Sequence, residues 1–479
     1  MNLILFNPDE FRAESAHCYG HPLAPTPNLD RLAAEGTRFD QCHVQHPVCT
    51  PSRCSFMTGW YPHVRGHRTL WHTLQPDEPN LLRYLKQAGY EVVWGGKNDL
   101  LSPESFASSV DDWKLDKRST RAIRGVPTSR NPWSQYDDRF ASFLYEPTDA
   151  PLEALGDFAK VDGAIEYLKS GPTQPFCLYL PLLFPHCPYV APQPWHDLID
   201  PDALPALRPV RGDGAPDFHK MIRQTRKLDR LDESVLRKIN AVYLGMIGVV
   251  DHLLGMLLDT LEQTGLADDT AIVFFSDHGD WAGDYGLVEK WPSALDDTIT
   301  RVPLVIKIPG GKRGHVVTEP VELFDIFATA LELTGTEARH THFARSLVPQ
   351  LQGAAGDPNR VVFAEGGYAF HEPLCFEGRQ NEAIFRDTTH IYYPKGRLQQ
   401  DYPESVCRAA MVRTQTHKLI RRPDGTSELY DLVADPQELR NLYGQQLDIQ
   451  AALERRLLDW YLQTADVTPH TEWPRGFPV

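Results

Sequence analysis

Five short apolar runs set the frame of this chain: NLILF (2–6), YEVVW (90–94), FCLYLPL (176–182), AIVFF (271–275) and PLVIKI (303–308). They carry little polar alternation, as expected of strands buried on both faces. Helical patterns lie between them. TPNLDRLAAEG (26–36) offers a Thr cap, Pro at the first helical position and Gly past the end. EPNLLRYLKQAG (78–89) closes on Gly in the same way, and residues 237–265 repeat apolar side chains at spacings of three and four. Strand, helix, strand alternation implies an α/β fold, a large mostly parallel sheet sandwiched by helices.

The C-terminal part reads differently. HKLIRRPDGTSELYDL (417–432) predicts two strands around a Pro-Asp-Gly turn, and DIQAALERRLLDWYLQTA (448–465) an amphipathic helix. We therefore expect a catalytic domain over 1–380, with an aperiodic insertion at about 101–150, and a small α+β subdomain over 381–479 with an antiparallel sheet. The insertion and the segment 366–379 are expected to shape a pocket. Arginines in RSTRAIRG (118–125) could meet a substrate anion, though a solvated surface is the simpler reading.

A formal charge of −16 argues against a nucleic-acid footprint and against binding to anionic membrane. No stretch reads as the roughly 18 apolar residues of a membrane span. The opening MNLILFNPDEF is too short for a signal-peptide core and has no basic leader, so a cytoplasmic protein is expected. Eight cysteines are sparse, and none shows a Cys-x-x-Cys zinc spacing. A disulfide between Cys49 and Cys54 is not expected in a reducing compartment.

In open α/β sheets ligands bind beyond the carboxyl ends of the strands. Asp9 and Glu10 follow the first run, Lys97 and Asp99 the second, His186 the third, and Asp277 and His278 the fourth, with Lys290 further on. Carboxylates with an imidazole make a divalent-metal site, and two lysines with an arginine an anion site. Each residue alone has a plainer use: Asp9 and Glu10 could cap a turn, the lysines could be solvated, and His186 could stiffen a loop. Their conjunction at strand ends favours function. In VCTPSRCSFMTG (48–59), Pro51 suits the first turn of a helix running to Gly59. Cys49 then lies at the positive helix end, within reach of Arg53, where a thiol would be reactive or else simply buried.

CTPSRCSFMTG resembles the type I sulfatase motif, Cys-x-Pro-Ser-Arg followed by Leu-Thr-Gly, with Met57 in place of the leucine. TPNLDRLAAEGTRF, GLADDTAIVFFSDHGDWAGDYGLVEKW, RVPLVIKIPG and HKLIRRPDGTSELYDLVADPQELRNL also look like segments of that family, in family order. The resemblance implies an alkaline-phosphatase-like sheet and hydrolysis of small-molecule sulfate monoesters, as in arylsulfatases. Cys49 would be oxidised by a separate maturation enzyme to formylglycine, the nucleophile. One divalent metal, calcium or in the alternative manganese, would be held by Asp9, Glu10, residue 49, Asp277 and His278. Arg53 would position residue 49. Lys97, His186 and Lys290 would be catalytic and would hold the sulfuryl oxygens or serve the leaving group, with Asp99 at the substrate. A homo-oligomer is expected.

Two departures stand out: Glu10 replaces the second aspartate of the family's pair, and Asp99 replaces the histidine of its Gly-Lys-x-His. The main alternative is a phosphonate monoester or phosphodiester hydrolase, possibly acting on both substrate classes; those enzymes are expected to lack the lysine that Lys97 represents. A non-catalytic binding protein with unconverted Cys49 is the third reading.

Overall fold

The structure, a computed structural model, describes residues 1–123, 131–212, 214–369 and 383–466. Its strands are β1 (Asn2–Asn7), β2 (Thr37–Phe39), β3 (Cys42–His43), β4 (Glu91–Trp94), β5 (Phe176–Pro181), β6 (Thr270–Phe275), β7 (Arg301–Val302), β8 (Leu304–Lys307), β9 (His315–Val317), β10 (Val321–Glu322), β11 (Val362–Gly366), β12 (Ala409–Arg413), β13 (His417–Arg421) and β14 (Glu428–Asp431). Seven form the main sheet in the order β4-β5-β1-β6-β8-β2-β9. Only β8 opposes the rest, pairing antiparallel with both β6 and β2. The run PLVIKI is therefore a strand, as its composition implies, but of reversed direction.

The two-sided burial of β1 and β6 explains their unbroken apolar runs. Ile4, Phe6, Ile272 and Phe274 point into one core, which also holds Val161 and Ile165 of the helix Gly156–Lys169 and Val242, Met246 and Val250 of the helix Glu233–Gln263. Leu3, Leu5, Val273 and Phe275 point into the other, with Phe56 and Met57 of the helix Cys49–Thr58 and Phe327 of the helix Asp325–Thr334.

Glu233–Gln263 is, among the described residues, long and apolar enough by composition to cross a membrane, a property the sequence reading did not assign to it. Its most apolar stretch is 89% buried inside the protein, so this apolarity belongs to a core helix. Gly245 lets that helix press against the turn Trp195–Asp197: a Cβ there would lie 2.0 Å from the Trp195 carbonyl oxygen. Gly245→Ala gains helix propensity worth up to ~1 kcal/mol. The clash is with backbone, which cannot swing aside, and overpacking costs about 1–3 kcal/mol. We expect net destabilisation, read as a lower urea midpoint at constant slope.

The C-terminal sheet is antiparallel, in the order β11-β12-β13-β14, and draws its first strand from residues ahead of 380. The expected hairpin forms around Gly425, and the helix Leu447–Thr464 packs on this sheet. In the insertion, Arg118 pairs with Asp112 and Arg121 with Asp162, which leaves those two arginines structural. Residues 370–379 of the expected pocket segment lie outside the described residues.

Candidate active site

Register brings the site together. β1 and β6 are parallel, with Phe6 opposite Phe274, so Asp9 and Asp277, each three residues on, arrive level. β5 pairs with β1 on its other side and leads to His186; β4 pairs with β5 and leads to Lys97. Gly96 permits the last step. A Cβ at that position would sit 1.9 Å from the Pro181 carbonyl oxygen, to which the Lys97 N–H donates at 2.8 Å. The helix Cys49–Thr58 points its N-terminus, with its unpaired N–H groups, at the same edge.

Four side chains expected at the metal, Asp9, Cys49, Asp277 and His278, converge. Their ligand atoms lie within 4.8 Å of one another and all four are buried. His278 Nδ1 donates to the Gly279 carbonyl at 2.9 Å, which fixes the tautomer and leaves Nε2 its lone pair. That Nε2 is 3.1 Å from Cys49 Sγ, 3.6 Å from Asp9 Oδ1 and 4.0 Å from Asp277 Oδ1. A divalent ion holding oxygen and nitrogen ligands at about 2.0–2.6 Å keeps them no more than ~5 Å apart, so this donor set fits one. Glu10, the fifth expected ligand, stands outside the group. Its Oε1 lies 3.1 Å from Lys290 Nζ, and its Oε2 accepts the Cys187 N–H at 3.3 Å.

Arg53 underpins the acids. Nη2 donates to Asp9 Oδ2 at 2.8 Å and Nε to Asp277 Oδ2 at 2.9 Å, with all three side chains wholly buried. Burial opposes the charge on Asp9, but Lys97 and Arg53 outweigh it and hold the carboxyl well below its usual range. At His278 burial lowers the pKa, which favours the neutral form that binds a metal.

Lys97 Nζ reaches Asp9 Oδ2 at 2.8 Å, Asp99 Oδ2 at 2.7 Å and Cys49 Sγ at 3.7 Å. His186 Nδ1 donates to the Cys187 carbonyl at 2.6 Å, and its Nε2 accepts from Lys290 Nζ at 2.9 Å. Exposure rises outward: the Arg53, Asp9 and Asp277 side chains are 0% exposed, Lys290 4%, His186 13% and Lys97 23%. The acids and Arg53 form a buried floor, and His186 and Lys97 stand nearer the opening.

That opening is a cavity of about 500 Å³, lined by Cys49, Lys97, Asp99, His186 and Lys290 among others. Trp71, Tyr392 and Lys395 also line it and were missed from sequence. Lys395 Nζ donates to Glu289 Oε1 at 2.7 Å, so this pair comes from segments a hundred residues apart. YYPKGR reads as an ordinary helix start, and no local signal marks its lysine as a pocket residue.

The Cys49 thiol is raised well above its usual pKa by burial and by Asp9, only partly offset by Lys97 and Lys290. Burial thus opposes ionisation of an unmodified thiol here, in line with the second of the two readings from sequence, a simply buried thiol. All seven described cysteines are free, and Cys54 turns away from Cys49 toward the His72 carbonyl.

Buried acids, a histidine and flanking cations thus gather at the carboxyl edge of a mostly parallel sheet, where α/β folds hold their ligands. The sulfatase family model matches residues 1–336, and the chain belongs to the sulfatase family, the sulfuric ester hydrolases. It is 29% identical over 522 residues to the multifunctional alkaline phosphatase superfamily protein PehA of Trinickia caryophylli, covering 98% of this chain and 96% of that one. It is 28% identical to a sulfatase of Formosa agariphila, covering 87% and 78%. Among solved structures it resembles the phosphonate monoester hydrolase of Agrobacterium radiobacter, with TM-score 0.76, 21% identity, and 97% and 96% coverage. It also resembles a protein solved with its substrate D-glucosamine-2-N,6-O-disulfate, with TM-score 0.70, 21% identity, and 97% and 98% coverage. At such identities the structural likeness is one of fold.

Proposed function

We propose that the chain hydrolyses small-molecule sulfate monoesters through a formylglycine made from Cys49, beside one divalent metal held by Asp9, residue 49, Asp277 and His278. The observation that carries this is the place of Cys49. Its Sγ lies 3.6 Å from Asp9 Oδ1, 3.1 Å from His278 Nε2 and 3.7 Å from Lys97 Nζ, and it lines the cavity. A formylglycine hydrate carries two hydroxyls on one carbon, one to attack sulfur and one to expel sulfate by elimination. The metal, calcium or manganese, supplies Lewis acidity at that carbon's oxygens.

The chain's own residues do the rest. Arg53 locks the acids, so their inward oxygens are preorganised. Lys97, with two N–H groups committed to Asp9 and Asp99, directs the third toward residue 49 and the sulfuryl oxygens held there. Lys290, hydrogen-bonded to His186, faces the departing alcohol or phenol oxygen from the cavity wall. Conversion of Cys49 requires a maturation enzyme in the host.

Lys97→Ala should lower kcat/KM for an aryl sulfate by more than about tenfold, or ~1.4 kcal/mol of transition-state stabilisation. An unchanged rate would remove Lys97 from the oxyanion grip. A second reading, hydrolysis of phosphonate monoesters, is favoured by the fold likeness to such a hydrolase and by Asp99, whose carboxylate draws on Lys97 where the family has a histidine. A paired assay on an aryl sulfate and an aryl phosphonate monoester, with mass spectrometry of the residue 49 peptide, tests both. Sulfatase turnover that rises with the formylglycine fraction supports the proposal. Full turnover from unmodified Cys49 refutes it.

A further inference from the structure

We propose that Asp99 sets the charge the cavity accepts: its carboxylate excludes dianionic esters, such as phosphate monoesters, in favour of monoanionic ones. The inference rests on the reaction proposed for this site and concerns its selectivity. Two carboxylates share the ammonium of Lys97, Asp9 Oδ2 at 2.8 Å and Asp99 Oδ2 at 2.7 Å. Asp9 belongs to the buried donor cluster, whereas Asp99 lines the cavity. The same ammonium lies 3.7 Å from Cys49 Sγ, so one charged group separates Asp99 from the residue that takes the sulfuryl group.

The turn that carries Asp99 is held on both sides. The Lys97 N–H donates to the Pro181 carbonyl at 2.8 Å. Asn98 Oδ1 accepts the N–H groups of Leu100 and Leu101 at 3.2 and 3.0 Å, and Asn98 Nδ2 donates to the Leu101 carbonyl at 2.9 Å. The Asp99 side chain is 21% exposed, so solvent screens its charge less than that of an open surface group.

The charge on the cavity wall favours the same assignment. His186 aside, the ionised side chains that line it among the described residues are Lys97, Lys290 and Lys395 against Asp99 and Glu289, an excess of one positive charge. Glu289 is committed to Lys395 at 2.7 Å, which leaves Asp99 as the carboxylate set against Lys97. An aryl sulfate or a phosphonate monoester brings one negative charge to this wall. A phosphate monoester brings nearly two once the pH is well above its second pKa of about 6. The second charge meets Asp99 within a few ångströms, where like charges repel enough to change affinity by about tenfold or more. A repulsive group is an effective way to separate ligands of nearly one shape.

Asp99→Asn keeps an acceptor oxygen for Lys97 but loses the charge, and Asp99→Glu keeps the charge. The test is competitive inhibition of nitrophenyl sulfate turnover at about pH 8 by phenyl phosphate, a dianion there, and by phenyl methylphosphonate, a monoanion of similar shape. Wild type and Asp99→Glu should bind the phosphate at least about tenfold more weakly than the phosphonate, and Asp99→Asn should close that gap by about tenfold. An unmoved ratio in Asp99→Asn overturns the proposal. So does a phosphate that still fails to inhibit it, or an equal weakening of both inhibitors, which would leave Asp99 the single role of holding Lys97. Should Asp99→Asn not fold, Asp99→Ser removes the same charge and carries the same comparison. A wild type that turns over no aryl sulfate overturns the reaction itself, whereas turnover with an unmoved ratio overturns the charge selection alone.

Discussion

Cys49→Ala should abolish sulfate ester turnover, by at least ~1,000-fold, with the fold intact. The substitution removes the one side chain that, among the described residues, belongs to the donor cluster and also lines the cavity. Loss of a covalent nucleophile on this scale is what acyl- and phosphoryl-transfer enzymes show when the attacking group is deleted. Cys49→Ser separates attack from release. Serine has one hydroxyl, so it can take the sulfuryl group but has no second oxygen on the same carbon to expel it. With an aryl sulfate we expect one equivalent of phenol released per enzyme, followed by arrest, and a sulfated residue 49 in the mass spectrum. Continued turnover by the serine variant would show that hydrolysis does not need the elimination step. Activity of the alanine variant above a tenth of wild type would show that residue 49 is not the nucleophile at all.

The strand ends were legible because parallel register is simple: neighbouring runs, buried on both faces and pointing the same way, deliver the residues that follow them to one edge. Asp9, Asp277 and His278 could be placed together from that rule, and Lys97 and His186 beside them. The helix at Cys49 was legible from Pro51 and Gly59. The direction of β8 was not, because an apolar run has no polarity. The short strands β2 and β9 escaped because three residues carry no measurable period. Glu10 shows the limit at the site. It reads as the twin of Asp9 in sequence, whereas the left-handed turn, held by Tyr243 from 233 residues along the chain, sends the two side chains toward different neighbours. Lys395 and Tyr392 were beyond reach for a related reason: they enter the cavity from a segment whose path depends on tertiary packing, which sequence periodicity does not encode.

Asp277→Ala should remove the bound metal and lower activity by more than ~100-fold, and it should also cost stability. The carboxylate has two jobs on two oxygens. Oδ1 belongs to the donor cluster, and Oδ2 accepts Arg53 Nε at 2.9 Å in a wholly buried pair. Alanine deletes both. Arg53 keeps Asp9 through Nη2 but loses half its compensation, and breaking a buried pair from one side costs about 3–5 kcal/mol. Asp277→Asn divides the jobs, because an amide oxygen can still face Arg53 while the charge that favours a divalent ion is gone. Asn should therefore keep more of the wild-type melting temperature than Ala while losing metal almost as completely. Elemental analysis and thermal unfolding on the three proteins, each with and without chelator, measure the two effects. In wild type the chelator should abolish activity, and added manganese or calcium should restore it. In the alanine variant neither ion should restore it, and the chelator should leave the melting temperature unmoved because no ion remains to be taken. Full metal occupancy in Asp277→Ala would place the ion elsewhere in the protein. A melting temperature equal to wild type would mean that Arg53 finds a new partner when Asp277 is gone.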